Sequence, residues 1–169
     1  MIVAETNRLL ITKFTENDAT FFYKLAKSPN WIRYIGDRGL KTVTDAQLYL
    51  KEDTLKSYTE FGFGFYKLQL KENGELIGTS GLVKRDWLEY VDIGFALLPE
   101  YEGKGFGFEA SEEILKLAKN QFHLNKILAI TLPTNKKSVK LIEKLGLVFE
   151  KRVKPFEDDE ELLLFAKTL

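Results

Sequence analysis

The stretch that decides the fold reads Leu97-Leu98-Pro99-Glu100-Tyr101-Glu102-Gly103-Lys104-Gly105-Phe106-Gly107-Phe108-Glu109-Ala110. An apolar strand ends here, glycine follows at every second position of a loop, and a long amphipathic helix begins. Glycine has no side chain, so the backbone N–H groups of such a loop can approach a bound anion closely. The first turn of the helix adds unpaired N–H groups and the positive end of the helix dipole. The stretch therefore predicts a phosphate-binding loop made of main-chain groups.

Two common nucleotide-binding loops fit this stretch poorly. A Walker loop requires Gly, four residues and then Gly-Lys followed by Ser or Thr, and residues 103–106 have neither that spacing nor the hydroxyl. A dinucleotide-binding fingerprint requires a third glycine where Phe108 stands, within a parallel βαβ unit. Taken alone, the loop leaves two alternatives open, a flexible turn and an enzyme that binds a nucleotide phosphate.

The strands before the loop favour an antiparallel arrangement. Residues 61–70, 76–84 and 90–98 read as three short strands, and the Asn73-Gly74 pair between the first two is a hairpin signal. Short strands joined by tight turns predict an antiparallel meander, which a dinucleotide-binding unit does not contain.

Capping signals and apolar spacing locate the remaining elements. Thr15-Glu16-Asn17-Asp18 is typical of a helix start, and Thr44-Asp45-Ala46-Gln47 fits a capping box for a second helix that runs to about Tyr58. A short helix is predicted from Asn135 to a glycine stop at Gly146. Further strands are predicted over residues 8–14, 126–132, 148–153 and 161–166. This order of elements predicts an α+β fold.

Composition limits the class of protein. The chain has 169 residues, 44% of them hydrophobic, which is enough for one domain over residues 1–169 with a substantial core. Lys plus Arg and Asp plus Glu both number 25, so no net charge attracts the chain to nucleic acid or to an anionic membrane. The absence of cysteine and the single histidine leave no metal-binding constellation. With no leader and no apolar run of membrane-spanning length, we expect a cytoplasmic protein without nucleic acid, membrane or metal partners.

Three segments carry a family resemblance, in the same order along nearly the whole chain. They are Thr6-Asn7-Arg8-Leu9-Leu10-Ile11, residues 92–107, and Asn135-Lys136-Lys137-Ser138 with Leu141-Ile142-Glu143-Lys144-Leu145-Gly146. The chain thereby resembles the GCN5-related N-acetyltransferase (GNAT) superfamily, and within it the ribosomal-protein N-terminal acetyltransferase (RimJ/RimL-like) branch. The resemblance implies a GNAT fold, whose central, mostly antiparallel mixed sheet has about six to seven strands and is flanked by about four helices.

The resemblance also implies acetyl-CoA as the cosubstrate. The pantetheine arm would bind the backbone of Phe95, Ala96 and Leu97, while Asn135 and Ser138 lie in the second cofactor segment. The pyrophosphate would bind the amides of the glycine loop. The cofactor-binding residues implied there are Gly103, Lys104, Gly105, Phe106 and Gly107.

Asp92 is the best candidate for a general base, acting directly or through water. It shares a strand face with Gly94 and Ala96, whose small side chains leave space for a packed neighbour or for a ligand. Asp92 can equally be an ion-paired or solvated aspartate. Freeing the lone pair of a lysine-like amine costs roughly 4–5 kcal/mol at pH 7, against about 1–1.5 kcal/mol for an α-amine. A site without an obvious strong base therefore favours an α-amine acceptor.

The chain departs from the family pattern at two positions. Glu102 stands where many members have Arg or Gln, and a carboxylate near phosphates is repulsive unless it points away. Ile142 stands where many members have the tyrosine that protonates the departing thiolate. The resemblance then leaves Ser138, one turn earlier, or water as the catalytic acid. Asn135 and Ser138 can equally be capping residues at the start of their helix.

The acceptor side is the least defined part of the sequence. Trp31, Tyr34 and Arg38 lie where the fold usually forms one wall of the acceptor cleft. Aromatic rings with nearby charges suit an amine or a peptide, but Trp31 and Tyr34 could instead close the core. Trp87 leaves the same two choices and could also form a homodimer contact.

These observations predict an N-acetyltransferase that moves an acetyl group from acetyl-CoA to a primary amine by direct attack in a ternary complex. A peptide or protein N-terminal α-amine is favoured as the acceptor, and a small-molecule amine stays open. Holding both reactants at one strand end supplies much of the rate through orientation. The alternative is a CoA-binding regulatory module of the same fold without turnover.

Overall fold

The computed structural model describes residues 1–157 and 159–169. The strands are β1 (Ile2–Glu5), β2 (Leu9–Lys13), β3 (Phe65–Leu70), β4 (Leu76–Val83), β5 (Asp92–Leu97), β6 (Lys126–Thr131), β7 (Val148–Val153) and β8 (Leu162–Thr168). The helices are α1 (Ala19–Ala26), α2 (Pro29–Tyr34), α3 (Val43–Tyr49), α4 (Lys56–Phe61), α5 (Phe106–Asn120) and α6 (Lys136–Lys144). The π-helical segment Leu50–Leu55 joins α3 to α4, so the three segments form one continuous helical stretch.

The predicted α+β fold with a mostly antiparallel mixed sheet is confirmed. The strands lie in the order β1-β2-β3-β4-β5-β6-β8-β7, and each pairing is antiparallel except that of β5 with β6. The sheet has eight strands in the described residues, against the six to seven expected. The additional strand β1 is a four-residue edge strand with a register irregularity, so its sequence shows no clean alternation.

Of the three apolar clusters in the described residues, the two larger ones are separated by the sheet. On one face, α5 packs through Ala110, Ile114 and Ala118, which recur every fourth residue and are fully buried. On the other face, the first helices enclose Phe22 and Leu50. Burying one such large side chain contributes about 1.5–3 kcal/mol. Both cores meet β5, which places that strand at the centre of the molecule.

The helix starts agree with the sequence at one position and differ at another. Thr15 caps the first helical turn in a capping box with Asp18, as predicted. The prediction of a second box at Thr44 is wrong, because the cap is Thr42, whose hydroxyl accepts from the Asp45 N–H at 3.1 Å. Thr42 is extended while α3 begins at the next residue, so Thr44 lies inside the first turn. Among the described residues, no helix is both long enough and apolar enough to cross a membrane.

Candidate active site

Strands β5 and β6 meet at one end and then diverge. In the described chain their one register pair is Asp92 with Leu128, where the Leu128 N–H donates to the Val91 carbonyl at 3.0 Å. Just beyond the far end of the strand, the Leu98 N–H donates instead to the carbonyl of Ile77 in β4, at 2.8 Å. A gap between β5 and β6 therefore opens beyond Asp92.

Strand alternation shows which backbone groups line this gap. Successive residues of a strand direct their N–H and C=O groups to opposite sides. Because the Val91 carbonyl points to β6 and the Leu98 N–H points to β4, the backbone groups of Phe95 and Leu97 point into the gap. Those of Ala96, which pairs with Thr79, point to β4. Of the three residues predicted to bind pantetheine through their backbone, two have groups in the gap.

The space beside Gly94 holds a packed neighbour. A Cβ atom on Gly94 would lie 2.9 Å from the ring of Phe65. Real Cβ atoms essentially never come this close, so the strand needs glycine there for Phe65 to lie across it. Of the two occupants that the sequence left open for this face, the structure shows a side chain of the protein at Gly94.

The predicted phosphate loop has the conformation that its glycines permit. Gly103 and Gly105 have φ angles of 74° and 83°, a left-handed region that disfavours other residues. Gly107 is helical and has a different role, because a Cβ atom there would lie in tight contact with the Leu141 side chain on α6, at 3.0 Å. Two glycines thus shape the loop, and the third lets two helices approach each other.

The loop ends at an uncapped helix start. Gly105 is the N-cap of α5 and provides no side-chain hydrogen bond, and the first helical bond runs from the Glu109 N–H to the Gly105 carbonyl at 3.0 Å. The N–H groups of Gly105, Phe106, Gly107 and Phe108 therefore have no partner within the helix. Together with the helix dipole, they form a site suited to an anion.

Helix α6 lies beside this loop, so the two predicted cofactor segments come together. Gly107 approaches Leu141, and the Lys137 ammonium lies 3.8 Å from the Glu102 carboxylate. The Asn30 amide donates to both oxygens of that carboxylate, at 2.9 and 3.1 Å. Glu102 departs from the family pattern, and its negative charge is thus paired with the Lys137 ammonium and hydrogen-bonded by the Asn30 amide.

Asn135 and Ser138 form the start of α6. Asn135 is the N-cap, and its side-chain oxygen accepts from the Ser138 N–H at 3.3 Å. This capping role uses the backbone of Ser138 and leaves its hydroxyl free for another partner. Ile142 lies one turn later and is 1% exposed, inside the main core.

Asp92 lies at the start of β5, 1% exposed, and its carboxylate accepts from the Arg85 Nε at 2.9 Å. Burial raises the pKa of Asp92, and the neighbouring Arg85 opposes that rise without cancelling it. The ion pair considered from the sequence therefore exists. A buried carboxylate of raised pKa also has the character of a proton acceptor, so the catalytic prediction for Asp92 stays a prediction.

One contact network at the loop escaped the sequence reasoning. Arg8, at the start of the first core strand, donates from Nε to the Glu109 carboxylate at 2.9 Å and from Nη1 to the Lys104 carbonyl at 3.0 Å. Its guanidinium lies 4.1 Å from the centre of the Phe106 ring. Arg8 is 96 residues from Lys104, and no local pattern in the sequence signals so distant a contact.

The predicted acceptor residues occupy different environments. Trp31 is 7% exposed and packs edge-on against Phe22, so it closes the second core, yet its indole N–H has no partner in the described part of the chain. Tyr34 is half-buried, with the guanidinium of Arg33 4.9 Å from its ring centre. Arg38 is exposed. A buried donor without a partner costs free energy, which favours a ligand or water at Trp31.

Asp53, on the π-helical segment, was missed by the sequence reasoning. It lines a cavity of about 200 Å³ together with Phe65 and Lys84, and so lies near the Asp92 end of β5. Although the residue as a whole is exposed, burial of its carboxylate raises the pKa of Asp53, and the charges of Arg38 and Arg85 oppose this. Irregular π-helical turns are frequent at functional sites, and this insertion is the signal that only a structure provides.

A larger apolar depression, of about 630 Å³, lies between the end of α6 and strands β7 and β8. Leu147, Phe149 and Phe165 are among its lining residues. None of the predicted cofactor or acceptor residues borders it. Size alone is therefore a poor guide to the site, and the gap beside β5 has the chemistry that the larger depression lacks.

Comparison with known proteins gives this geometry a family. The acetyltransferase (GNAT) domain family matches residues 8–148. The uncharacterized N-acetyltransferase YnaD of Bacillus subtilis (strain 168) is 28% identical over 142 residues, which cover 84% of this chain and 80% of YnaD. The ribosomal protein uS5-alanine N-acetyltransferase of Escherichia coli (strain K12) is 30% identical over 108 residues, or 63% of this chain and 53% of that protein. RimL, a ribosomal L7/L12 alpha-N-protein acetyltransferase solved with coenzyme A, has a TM-score of 0.83 at 13% identity, over 100% of this chain and 98% of its own.

The chain therefore belongs to the GNAT acetyltransferase family. It is an acyl-CoA-dependent N-acetyltransferase, in agreement with the relatives of that description. These matches give no support to the alternative of a regulatory module without turnover. The likeness to RimL, at 13% identity, is a likeness of fold.

Proposed function

We propose that the protein transfers the acetyl group of acetyl-CoA directly to a primary amine, within one domain over residues 1–169. The divergence of β5 from β6 is the main support, because it leaves the backbone groups of Phe95 and Leu97 available to the pantetheine amides. The loop at Gly105 follows β5 in the chain, and its unpaired amides suit the pyrophosphate. One extended ligand with amides at one end and a diphosphate at the other matches both features.

The reaction then needs a base and an acid near the start of the gap. We propose that Asp92 accepts the proton of the acceptor ammonium, directly or through water. The amine attacks the thioester carbonyl, the C–S bond breaks, and the thiolate takes a proton from the Ser138 hydroxyl or from water. An N–H of β5 that faces the gap would stabilise the charge on the carbonyl oxygen. Asp92 is buried and Ser138 keeps a free hydroxyl, which supports these two roles.

We propose a peptide or protein N-terminal α-amine as the favoured acceptor, in the manner of the ribosomal-protein acetyltransferases. An α-amine is easier to deprotonate than a lysine side chain by roughly 3 kcal/mol at pH 7. The similarity to the uS5-alanine N-acetyltransferase supports this class of acceptor. The predicted acceptor residues Trp31, Tyr34 and Arg38, with Asp53 close enough to feel the charge of Arg38, provide rings and charges of both signs for a peptide end.

Product analysis tests this proposal directly. The protein is incubated with acetyl-CoA and a mixed library of N-terminal peptides, amino acids and polyamines, and the acetylated products are identified by mass spectrometry. We expect acetyl groups on α-amines at a rate well above that of reactions without protein. Coenzyme A binding without an acetylated product from any amine would contradict the proposal and revive the regulatory reading.

A further inference from the structure

The guanidinium of Arg8 contacts a carboxylate and an aromatic ring. The Glu109 carboxylate accepts from the Arg8 Nε at 2.9 Å and from the Arg8 backbone N–H at 3.1 Å. The Thr6 hydroxyl donates to the same carboxylate at 2.7 Å. The ring of Phe106 lies against the guanidinium, with 4.1 Å between the guanidinium carbon and the ring centre. These contacts define the position and orientation of the Arg8 side chain, which is 41% exposed.

The charge on Glu109 makes this arrangement persistent. Desolvation alone would raise the pKa of Glu109, but hydrogen bonds from Thr6 and Arg8 outweigh it, so the pKa lies below its usual value of 4.5. A carboxylate of lowered pKa stays ionised at neutral pH, and its contribution is lost only when the pH falls through that lowered value. The Arg8–Glu109 pair is thus intact under ordinary conditions and carries no net charge.

Arg8 also fixes one peptide plane of the cofactor loop. Its Nη1 donates to the Lys104 carbonyl at 3.0 Å. A trans peptide is planar, so a carbonyl that points toward Arg8 forces the N–H of the following residue, Gly105, to point the opposite way. Gly105 has a φ of 83°, and a glycine in this region has several alternative conformations close in energy. The bond from Arg8 selects one of them.

Resting on the proposed function, we propose that Arg8 is a positioning residue of the cofactor site, which aims the Gly105 N–H at the diphosphate of coenzyme A through the Lys104–Gly105 peptide plane. Arg8 lies behind the loop, on the side of the Lys104 carbonyl, and its charge is already matched by Glu109. Its role is therefore one of geometry instead of attraction to the phosphate.

Two substitutions of Arg8 separate geometry from charge. Arg8→Lys keeps the positive charge but loses the planar fork that reaches Glu109 and Lys104 together, and Arg8→Gln loses both. We expect both variants to raise the dissociation constant of coenzyme A by a similar factor of about ten or more, as for the loss of a hydrogen bond to a charged group. Isothermal titration calorimetry gives the constant, and kcat at saturating acetyl-CoA should change by less than about twofold.

A second variant keeps the test valid if the Arg8 variants are poorly folded. Glu109→Gln removes a negative charge close to the diphosphate site. If charge governs, coenzyme A binds this variant more tightly, whereas loss of positioning makes it bind more weakly. Arg152→Lys is the matched control, because Arg152 forms an exposed ion pair with Glu161 at 3.7 Å away from the loop, and its affinity should equal that of the wild type.

Several outcomes would overturn the role of Arg8. One is wild-type affinity for coenzyme A in Arg8→Lys together with weak binding in Arg8→Gln. The others are an unchanged affinity for coenzyme A in both variants, or tighter binding of coenzyme A in Glu109→Gln. Each would leave the proposed function standing as long as the wild-type protein binds coenzyme A and acetylates an amine. If the wild-type protein binds no coenzyme A, the proposed function fails and the role of Arg8 fails with it.

Discussion

The cofactor side and the acceptor side of this enzyme are built by different means. The proposed cofactor side uses main-chain groups, placed by glycines of left-handed conformation and by a helix start without a side-chain cap. The proposed acceptor side uses side chains: Trp31 on α2, Arg38 in the loop after α2, and Asp53 on the π-helical segment. Most single substitutions leave main-chain geometry unchanged, glycines of left-handed conformation being the exception, whereas any side chain is replaced by one. A main-chain site suits a cosubstrate that all members of a family share. A site made of side chains suits an acceptor that differs from one member to another.

The largest expected effect lies in the cofactor loop. Gly105→Glu adds a side chain where φ is 83°, with its Cβ atom 3.4 Å from Arg8 Nη2, and brings a negative charge to the loop. We expect the dissociation constant of coenzyme A to rise by about 100-fold or more, which corresponds to about 2.7 kcal/mol. Gly74→Glu is the control, because Gly74 has a similar φ of 77° in a hairpin and should lose stability without losing affinity. Equal affinity in both variants would show that the loop does not hold the cofactor.

The second prediction concerns the centre between the two sides. If ionised Asp92 is the base, activity rises with pH through its pKa, which burial has raised above 3.8, and then levels off. Asp92→Asn should lower kcat by about 100-fold and remove this acidic limb of the pH profile. The loss should be greater for acceptors of higher pKa. An equal loss for every amine, with the acidic limb retained, would assign Asp92 to the Arg85 ion pair alone.

A smaller effect is expected on the acceptor side, at Asp53. Asp53→Asn removes a carboxylate of the proposed acceptor cavity, and we expect the KM for a cationic amine to rise by about tenfold while the affinity for coenzyme A stays unchanged. Glu60→Gln is the control, because Glu60 lines the same cavity but is already paired with Lys56 at 3.6 Å. An unchanged KM in Asp53→Asn would place the acceptor elsewhere.

The smallest effect is expected at Ser138. Ser138→Ala keeps the backbone N–H that Asn135 caps, so α6 and the melting temperature should be preserved. Because a thiolate leaves with little assistance, we expect kcat to fall by only about fivefold if the hydroxyl supplies the proton. Asn135→Ala is the comparison and should cost about 1 kcal/mol of stability through the lost cap. A Ser138→Ala enzyme of wild-type kcat would leave water as the acid.

The contrast between the two sides also explains what the sequence predicted. Gly103 and Gly105 were recognisable because a left-handed backbone restricts the residue type, and restriction of type is visible in a sequence. The antiparallel meander and the Thr15 cap followed from alternation and from local hydrogen bonding. These features depend on neighbours in the chain.

Features that depend on distant residues could not be predicted in this way. The bond from Arg8 to Lys104 spans 96 residues, and the pairing of Glu102 with Asn30 spans 72. The cap at Thr42 was missed because Thr44 fits the same short pattern two residues later. Asp53 looks like any surface aspartate until the π-helical turn places it in a cavity. In each case tertiary packing decided between local options of similar energy.

The single residue pair that joins β5 to β6 in the described chain, Asp92 with Leu128, has a consequence for the stability of the whole sheet. Without a ligand, the eight-stranded sheet has two parts. Strands β1 to β5 form one part and β6, β8 and β7 form the other, and in the described residues the two parts pair only at Asp92 and Leu128. A pantetheine arm bound to the backbone of Phe95 and Leu97 would fill the gap and connect the two parts of the sheet. Amide protons at these two positions should then exchange with solvent rapidly in the free protein and slowly in the complex. The cosubstrate would thus stabilise the sheet as well as donate the acyl group.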